Sequence, residues 1–225
     1  MTQRLTQTLI PILFPGECLA CAVDLSGGQT HLCTQCQADL PWCEQPPAIP
    51  GIDRTLCALH YEGAVRHWVT QLKFRGDLAA GRLLGTLLLA TVRGTYRPPD
   101  GPPLPLPTAL IPVPMSRWRW FLRGRNQAHV IAMPSVRALS LPILDRAVQV
   151  ARKPLSAHRL SRVERRTALS AAFRARSGVP THVAIIDDVL TTGATAQALA
   201  AQLRSAGARR VDLWTATYTL PPDAR

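Results

Sequence analysis

Residues 183–195 read Val-Ala-Ile-Ile-Asp-Asp-Val-Leu-Thr-Thr-Gly-Ala-Thr, placing two carboxylates just ahead of three threonine hydroxyls and a glycine. Four apolar residues, paired acids, a hydroxyl-rich turn and the apolar-periodic run 196–203 describe a buried strand passing through a turn into a helix. The first N–H groups of a helix have no intrahelical partner and sit at the positive end of its dipole. The backbone donors of Thr192, Gly193, Ala194 and Thr195 are therefore suited to a phosphate. Gly193 lets the backbone approach, and the hydroxyls add donors. Asp187 and Asp188 are expected to end the strand at the rim of an open α/β sheet, where ligands bind. Two carboxylates there suit a ribose diol or a magnesium ion. An Asp-Asp pair alone would also serve as turn and cap chemistry, but here the whole thirteen-residue arrangement is present.

A second cluster is Cys18-Leu-Ala-Cys21, eleven intervening residues, then Cys33-Thr-Gln-Cys36. Two C-x2-C knuckles around a turn-rich hairpin match a tetrahedral four-cysteine zinc site, each knuckle directing two thiolates at one ion. Two disulfides or a redox pair are the alternatives. A cytoplasmic chain seldom keeps structural disulfides, and a redox pair needs no second copy. Cys43 and Cys57 read as small apolar residues or free thiols.

The formal net charge is +12, and its location matters more than its size. Residues 115–176 hold 14 of the 26 basic residues and only Asp145 and Glu164 as acids, while the rest of the chain is balanced at 12 and 12. Such clustering argues for an anionic partner. Within it, a basic loop over 117–125 carries Arg117, Trp118, Arg119, Trp120, Arg123 and Arg125. Arginine with tryptophan suits pyrophosphate clamping or base stacking, and a solvated basic turn is the plain reading. A later loop holds Arg152, Lys153, His158, Arg159, Arg162, Arg165 and Arg166. It suggests a flap over an anionic ligand, with a solvated segment as the alternative for any one residue.

The elements that must position these groups follow from pattern. A short amphipathic helix is expected over 1–14, a strand over 54–61, helices over 64–74 and 78–93, and a stiff Pro-rich connector over 97–107. Lys73 and Arg75 read as surface charges that could line an anion groove. Strands follow at 109–114, 144–150 and 210–217, with a helix after Ala128 toward Leu139. This order predicts an α/β fold with a parallel sheet flanked by helices. The domains are expected at 1–50, the N-terminal helix and zinc module, and 51–225. No apolar run approaches the roughly 18 to 20 residues that cross a bilayer, and 9–14 makes a poor signal peptide. A cytoplasmic chain without a transmembrane segment is expected.

The stretch 183–195 resembles the phosphoribosyl pyrophosphate (PRPP) signature of type I phosphoribosyltransferases. That resemblance implies that Asp187 and Asp188 hold the ribose hydroxyls and that Thr191, Thr192, Gly193, Ala194 and Thr195 hold the 5′-phosphate, with Mg2+ arriving with PRPP. Together with the knuckles, Tyr61-Glu62-Gly63, Leu72-Lys73-Phe74-Arg75-Gly76, Pro112-Val113-Pro114 and Arg123-Gly124-Arg125-Asn126-Gln127-Ala128, nearly the whole chain resembles the ComF family, to which the GntX-type proteins also belong. The family usually has Phe at the position of Arg125, Gln and Asn near His158 and Thr167, and further cysteine pairs where Cys43 and Cys57 stand. The resemblance implies a type I phosphoribosyltransferase-like fold with one structural zinc on Cys18, Cys21, Cys33 and Cys36. It implies a role in natural transformation, with PRPP, single-stranded DNA and other DNA-uptake proteins as partners. Arg123, Arg125, Arg152 and Lys153 are the pyrophosphate or flap candidates. Arg117, Trp118, Arg119, Trp120, Arg159, Arg162, Arg165 and Arg166 are the nucleic-acid candidates. A phosphoribosyltransferase of nucleotide metabolism, a non-catalytic PRPP sensor and an assembly adaptor are the alternative readings, and no residue stands out as the acceptor's base.

Overall fold

The computed structural model describes residues 16–25, 31–151 and 172–220. The helix expected over 1–14 and the loop residues Arg152, Lys153, His158, Arg159, Arg162, Arg165 and Arg166 lie outside them. The chain forms two compact units, 1–41 and 42–225.

In the first unit, Glu17 and Asp24 bridge antiparallel around the first knuckle. The second knuckle opens a single-turn helix, α1 (Thr34–Ala38), whose N-cap is Cys33: its sulfur accepts from the Cys36 N–H. Leu25, Leu32 and Leu40 are buried.

The second unit is built on a four-stranded, all-parallel sheet of β1 (Arg54–His60), β2 (Ala109–Pro112), β5 (His182–Leu190) and β6 (Arg210–Tyr218), in the order β1-β6-β5-β2. The sheet thus includes the strand before the Pro-rich connector as well as those after it. Strand side chains alternate between faces, and the burial pattern follows. Ala109, Ile111, Val183, Ile185, Val211 and Leu213 form one core with Leu199 and Leu203 of helix α6 (Ala194–Ser205). The even-numbered set, Leu110, Ala184, Ile186 and Trp214, is equally buried. On that face Trp214 meets Tyr96 of the long helix α3 (Leu78–Tyr96) edge-on, with ring centroids 5.6 Å apart. A sheet covered on both faces needs the continuous apolar runs these strands carry.

Helix α2 (Gly63–Thr70) ends in a π-helical turn, Gln71–Arg75. Gly76 then turns left-handed, and Asp77 caps α3 by accepting from Ala79 and Ala80. Helix α5 (Gln127–Leu139) packs closely on α3. A Cβ at Gly85 would run into the Ile131 carbonyl and the Pro134 ring.

Two expectations need correcting. The basic stretch after β2 is a helix, α4 (Arg117–Arg123), and only its end is a turn. The Ser116 hydroxyl caps it, accepting from the Arg119 N–H, and Gly124 stops it in the left-handed conformation. The strand expected over 144–150 is broken. Ile143 bridges to Leu110 along the outer edge of β2, a polar turn at Asp145 and Arg146 interrupts, and only β3 (Val148–Val150) is strand. It pairs antiparallel with β4 (Phe173–Ala175) in a separate two-stranded ribbon.

At the N-terminal ends of the strands, Asp212 is wholly buried. It accepts from the Tyr96 hydroxyl, His182 Nε2 at 2.9 Å and Arg210 Nε at 3.2 Å, while Trp214 Nε1 donates to the Tyr96 oxygen. Burial, then the Asp212 carboxylate, pushes the Tyr96 phenol up.

Candidate functional site

At the other end of the sheet β5 runs past both acids to Leu190, two residues further than expected. Its neighbour β2 stops at Pro112, opposite Ile186, so Asp187 and Asp188 project beyond that edge at the C-terminal ends of the strands. Alternation sends the two carboxylates to opposite faces. Asp187 joins a small cavity of about 40 Å3 with Thr191, Thr192, Gly193, Ala194 and Thr195. The structure therefore brings together every residue expected around the 5′-phosphate with one of the two acids.

Gly193 is the N-cap of α6 at φ +72°, a left-handed conformation that disfavours side chains. The space a Cβ would take is filled by Ile49, 2.6 Å from that position. The N-cap glycine has no side chain to cap the helix, and the Ala194 N–H donates only a long hydrogen bond, 3.5 Å, to Thr192 Oγ1. The helix start is thus turned by a buried glycine between exposed Thr192 and half-buried Ala194, and its first donors are weakly paired.

Asp188 turns the other way, to Lys73, whose Nζ lies 3.0 Å from Asp188 Oδ2. Its own N–H donates to Asp187 Oδ1 at 2.9 Å. Burial and then the Asp188 charge push Asp187 up to about 8, against weaker pulls from the Asp188 N–H and Lys73. Both acids line a cleft of about 330 Å3 with Lys73, Phe74, Val113, Pro114, Met115, Arg119, Arg123, Asn126, Gln127 and Ala128. Asn126 braces it: Oδ1 caps α5 by accepting from Ala128, and Nδ2 donates to the Val113 carbonyl beyond β2. Arg123 lies over the exposed Phe74 ring at 5.5 Å and reaches Gln127 Oε1 at 3.4 Å. Gln127 is 3% exposed, and its Nε2 has no partner among the described residues, a buried donor at the wall of the cleft.

A larger cavity of about 860 Å3 adjoins this cleft, sharing Pro114, Met115 and Asn126. Trp118, Trp120, Arg125, Gln149 and a His129–Asp145 pair, Nδ1 to Oδ1 at 2.7 Å, also line it. Helix α4 therefore splits the candidates. Arg119 and Arg123, one turn apart on one face, line the acid cleft, while Trp118 and Trp120 line the larger cavity. Arg123 and Arg125, expected together, are separated in the same way. Arg117 opens the helix. Trp118, Trp120, Phe121 and Leu122 are 57% to 78% exposed.

The four knuckle sulfurs lie within 4.8 Å of one another, a group that could hold a metal ion. The Cys33 N–H donates to Cys18 Sγ and the Cys36 N–H to Cys33 Sγ, each at 3.4 Å. Burial works to raise the Cys18 thiol, but the N–H groups of Cys33, Cys21 and Ala20 outweigh it and pull the thiol down to about 6. Hydrogen bonds that its S–H donates to Cys21 and then Cys33 hold the proton on Cys36 and push its thiol up. Ala22 adopts φ +58° to close the first knuckle, a conformation costing an L-residue roughly 1–2 kcal/mol. Crowded thiols, donated N–H bonds and a strained turn fit a tetrathiolate ion. Cys43 and Cys57 are buried in the second unit.

Sequence reasoning read Lys73 as a surface charge that could line an anion groove, and the structure places it in the cleft with Asp188 as partner; it gave Gln127 and the His129–Asp145 pair no role in the site. Lysine makes up only 2 of the 26 basic residues, the one available hint for Lys73. The Lys73–Asp188 and His129–Asp145 pairings are set by contacts between separate elements of the fold.

The Asp187 environment has a measurable consequence. Between the ordinary carboxyl value of 3.8 and about 8 the folded chain keeps this proton and the unfolded chain does not. The unfolded state then binds fewer protons, so this group's contribution to stability falls as pH rises through that window and levels off above it. Asp187→Asn removes the slope. Thermal melts should show the variant gaining on the wild-type chain between about pH 5.5 and about pH 8.5, and a pH-independent difference would contradict the assignment.

No family model matches the chain. Among curated proteins it is similar to Competence protein F of Haemophilus influenzae, 28% identical over 89% of this chain and 96% of that one. It is 31% identical to the DNA utilization protein YhgH of Escherichia coli O157:H7, over 92% of this chain and 98% of the relative. Competence protein ComFC of Streptococcus pneumoniae is 26% identical over 81% of this chain and 74% of its own length. Identity of this extent along nearly the whole chain establishes that the protein belongs to the ComF family.

Proposed function

We propose that this chain is a PRPP-binding, type I phosphoribosyltransferase-like protein that acts in natural transformation, in the cytoplasm, handling internalised single-stranded DNA. The observation that carries the PRPP reading is the placement of Asp187 between the Gly193-turned helix N-terminus and a cleft in which Asp188 joins Lys73, Arg119 and Arg123. The 5′-phosphate takes the N–H groups at Thr192, Gly193, Ala194 and Thr195 and the hydroxyls of Thr191, Thr192 and Thr195. The ribose diol takes Asp187 and Asp188. The diphosphate takes the cationic cleft, where the unpartnered Gln127 Nε2 is a ready donor. Among the described residues Asp187 and Asp188 are the only carboxylates lining these two cavities, so they are the residues that would face Mg2+ brought in by PRPP. A divalent ion there supplies charge neutralisation for departing pyrophosphate. Positioned cations stabilise charge developing on that group as the C1–O bond loosens, and a closed geometry replaces the entropy cost of encounter. The same cradle serves a transferase or a PRPP sensor, and pyrophosphate release separates the two.

Single-stranded DNA is assigned to the exposed face of α4 and the larger cavity. Trp118 and Trp120 offer stacking planes for unpaired bases and Arg125 a phosphate contact. The names of the relatives, competence and DNA utilization proteins, support a role connected with DNA. The four-cysteine group is assigned to one structural Zn2+, which takes four thiolates and needs no further ligand.

Three measurements test these assignments. Titrating PRPP and Mg2+ while following 31P resonances should show saturable binding. In Asp187→Asn/Asp188→Asn it should be weaker by about 100-fold, since hydrogen bonds to charged groups are worth roughly 1.5–3 kcal/mol each; undiminished binding by the double variant would refute the site. Anisotropy of a labelled oligothymidine should report binding that weakens with salt and loses about tenfold or more in Trp118→Ala/Trp120→Ala, since each stacked base contributes roughly 1–3 kcal/mol; equal affinity would remove α4 from the interface. Native mass spectrometry should find one zinc per chain, lost in Cys18→Ser/Cys36→Ser, and a metal-free wild-type chain with unaltered stability would refute the metal.

A further inference from the structure

The π turn Gln71–Arg75 interrupts what could have been one continuous helix from α2. Each residue of an α-helix advances the azimuth by about 100°, so the extra residue in the wider turn swings everything after it to a new direction. Isolated π turns are rare and gather at functional sites. Here Leu72 is wholly buried and anchors the turn. The next residue carries its ammonium to Asp188 Oδ2, and the one after lies beneath Arg123. The turn therefore aims two successive side chains into one cleft.

Lys73 and Asp188 are partly buried, 24% and 15% exposed at their side chains, so their attraction is only partly screened. A bare divalent cation approaching Asp188 must displace an ammonium into a cleft that already holds Arg119 and Arg123. A cation arriving with a diphosphate meets no such penalty, because the diphosphate receives the released ammonium.

We propose that Lys73 is a specificity residue of this site: it occupies Asp188 in the free protein, excludes uncomplexed divalent cations, and transfers to the diphosphate when a metal–diphosphate ester enters. The inference rests on the PRPP reading for the identity of that ester and adds to it a rule for admission. Asp188 changes partner, Lys73 changes partner, and no covalent bond is made or broken. The ligand class is a diphosphate monoester of a sugar carrying its own divalent ion, in preference to the ion alone or to a monophosphate.

The prediction has opposite signs for two ligands, which a purely structural lysine would not produce. Mn2+ serves as the probe, followed by electron paramagnetic resonance in three titrations: Mn2+ alone, Mn2+ with inorganic pyrophosphate, and Mn2+ with PRPP. Lys73→Met keeps the side-chain stem and removes the charge. It should bind Mn2+ alone more tightly than the wild-type chain and the two diphosphate complexes more weakly, each by about tenfold, the scale of one charge-assisted contact. Lys73→Arg restores the charge and should recover most of the wild-type preference. Loss of both affinities together, or unchanged Mn2+ binding in Lys73→Met, would overturn the proposal. If Lys73→Met proves unfolded by circular dichroism, Lys73→Gln carries the same two-sign test. Failure of PRPP to bind the wild-type chain would overturn the PRPP reading alone, because the Mn2+ and pyrophosphate titrations still read the lysine.

Discussion

Strand β5 is the constraint on which the rest depends. It is an inner strand of an all-parallel sheet, hydrogen-bonded to β6 along its whole length and to β2 only as far as Ile186. Its first half must be apolar on both faces, because a helical layer covers each. Its second half runs beyond β2, and there the same alternation that packed the core turns one carboxylate toward the start of α6 and the next toward Lys73. Core and site are therefore two halves of one strand. A slip of register by one residue would exchange the faces of Asp187 and Asp188 along with the whole hydrophobic set.

The two ends of β5 and β6 handle buried charge in opposite ways. At the N-terminal end Asp212 is sealed and satisfied by Tyr96, His182 and Arg210. Such a group costs desolvation but leaves nothing free for a ligand, and removing one partner would strand the others. At the C-terminal end Asp188 has one exchangeable ammonium, Asp187 is pushed above the usual carboxyl range, Gln127 Nε2 has no partner among the described residues, and the helix start has no N-cap side chain. Incompletely satisfied groups concentrated at one edge are where folding stability is exchanged for the capacity to bind.

What could be read from the chain alone was whatever the chain encodes locally. The strand-turn-helix of 182–205, the two knuckles and the long helix after Asp77 each carry their own period, cap or spacing. Helix α4 carries caps but no clear apolar period. In Arg-Trp-Arg-Trp-Phe-Leu-Arg cations and aromatics alternate over the first four residues, and the helix is decided by Ser116 before it and Gly124 after it. The strand expected over 144–150 fails for the complementary reason: an apolar run was read through Asp145 and Arg146, where the chain turns and Asp145 meets His129. Lys73 lay in a recognised stretch, but its partner lies far along the sequence and is reached only through a π turn that no periodicity announces.

Helix α4 is also where the two cavities meet. Residues 119 and 123 share one face at the one-turn spacing, and the indoles of 118 and 120 face the neighbouring space. Asn126 belongs to both walls and ties the start of α5 to the end of β2. Arg123 is already held against Phe74, on the turn that carries Lys73. A ligand that draws Lys73 away from Asp188 therefore acts on the turn beneath Arg123, and through it on the helix bearing the two indoles. On the proposed reading, a diphosphate in one cavity and a nucleic-acid base in the other would hold opposite sides of the same seven-residue helix. Any difference that one ligand makes to the position of that helix must appear, with equal free energy, in the affinity of the other.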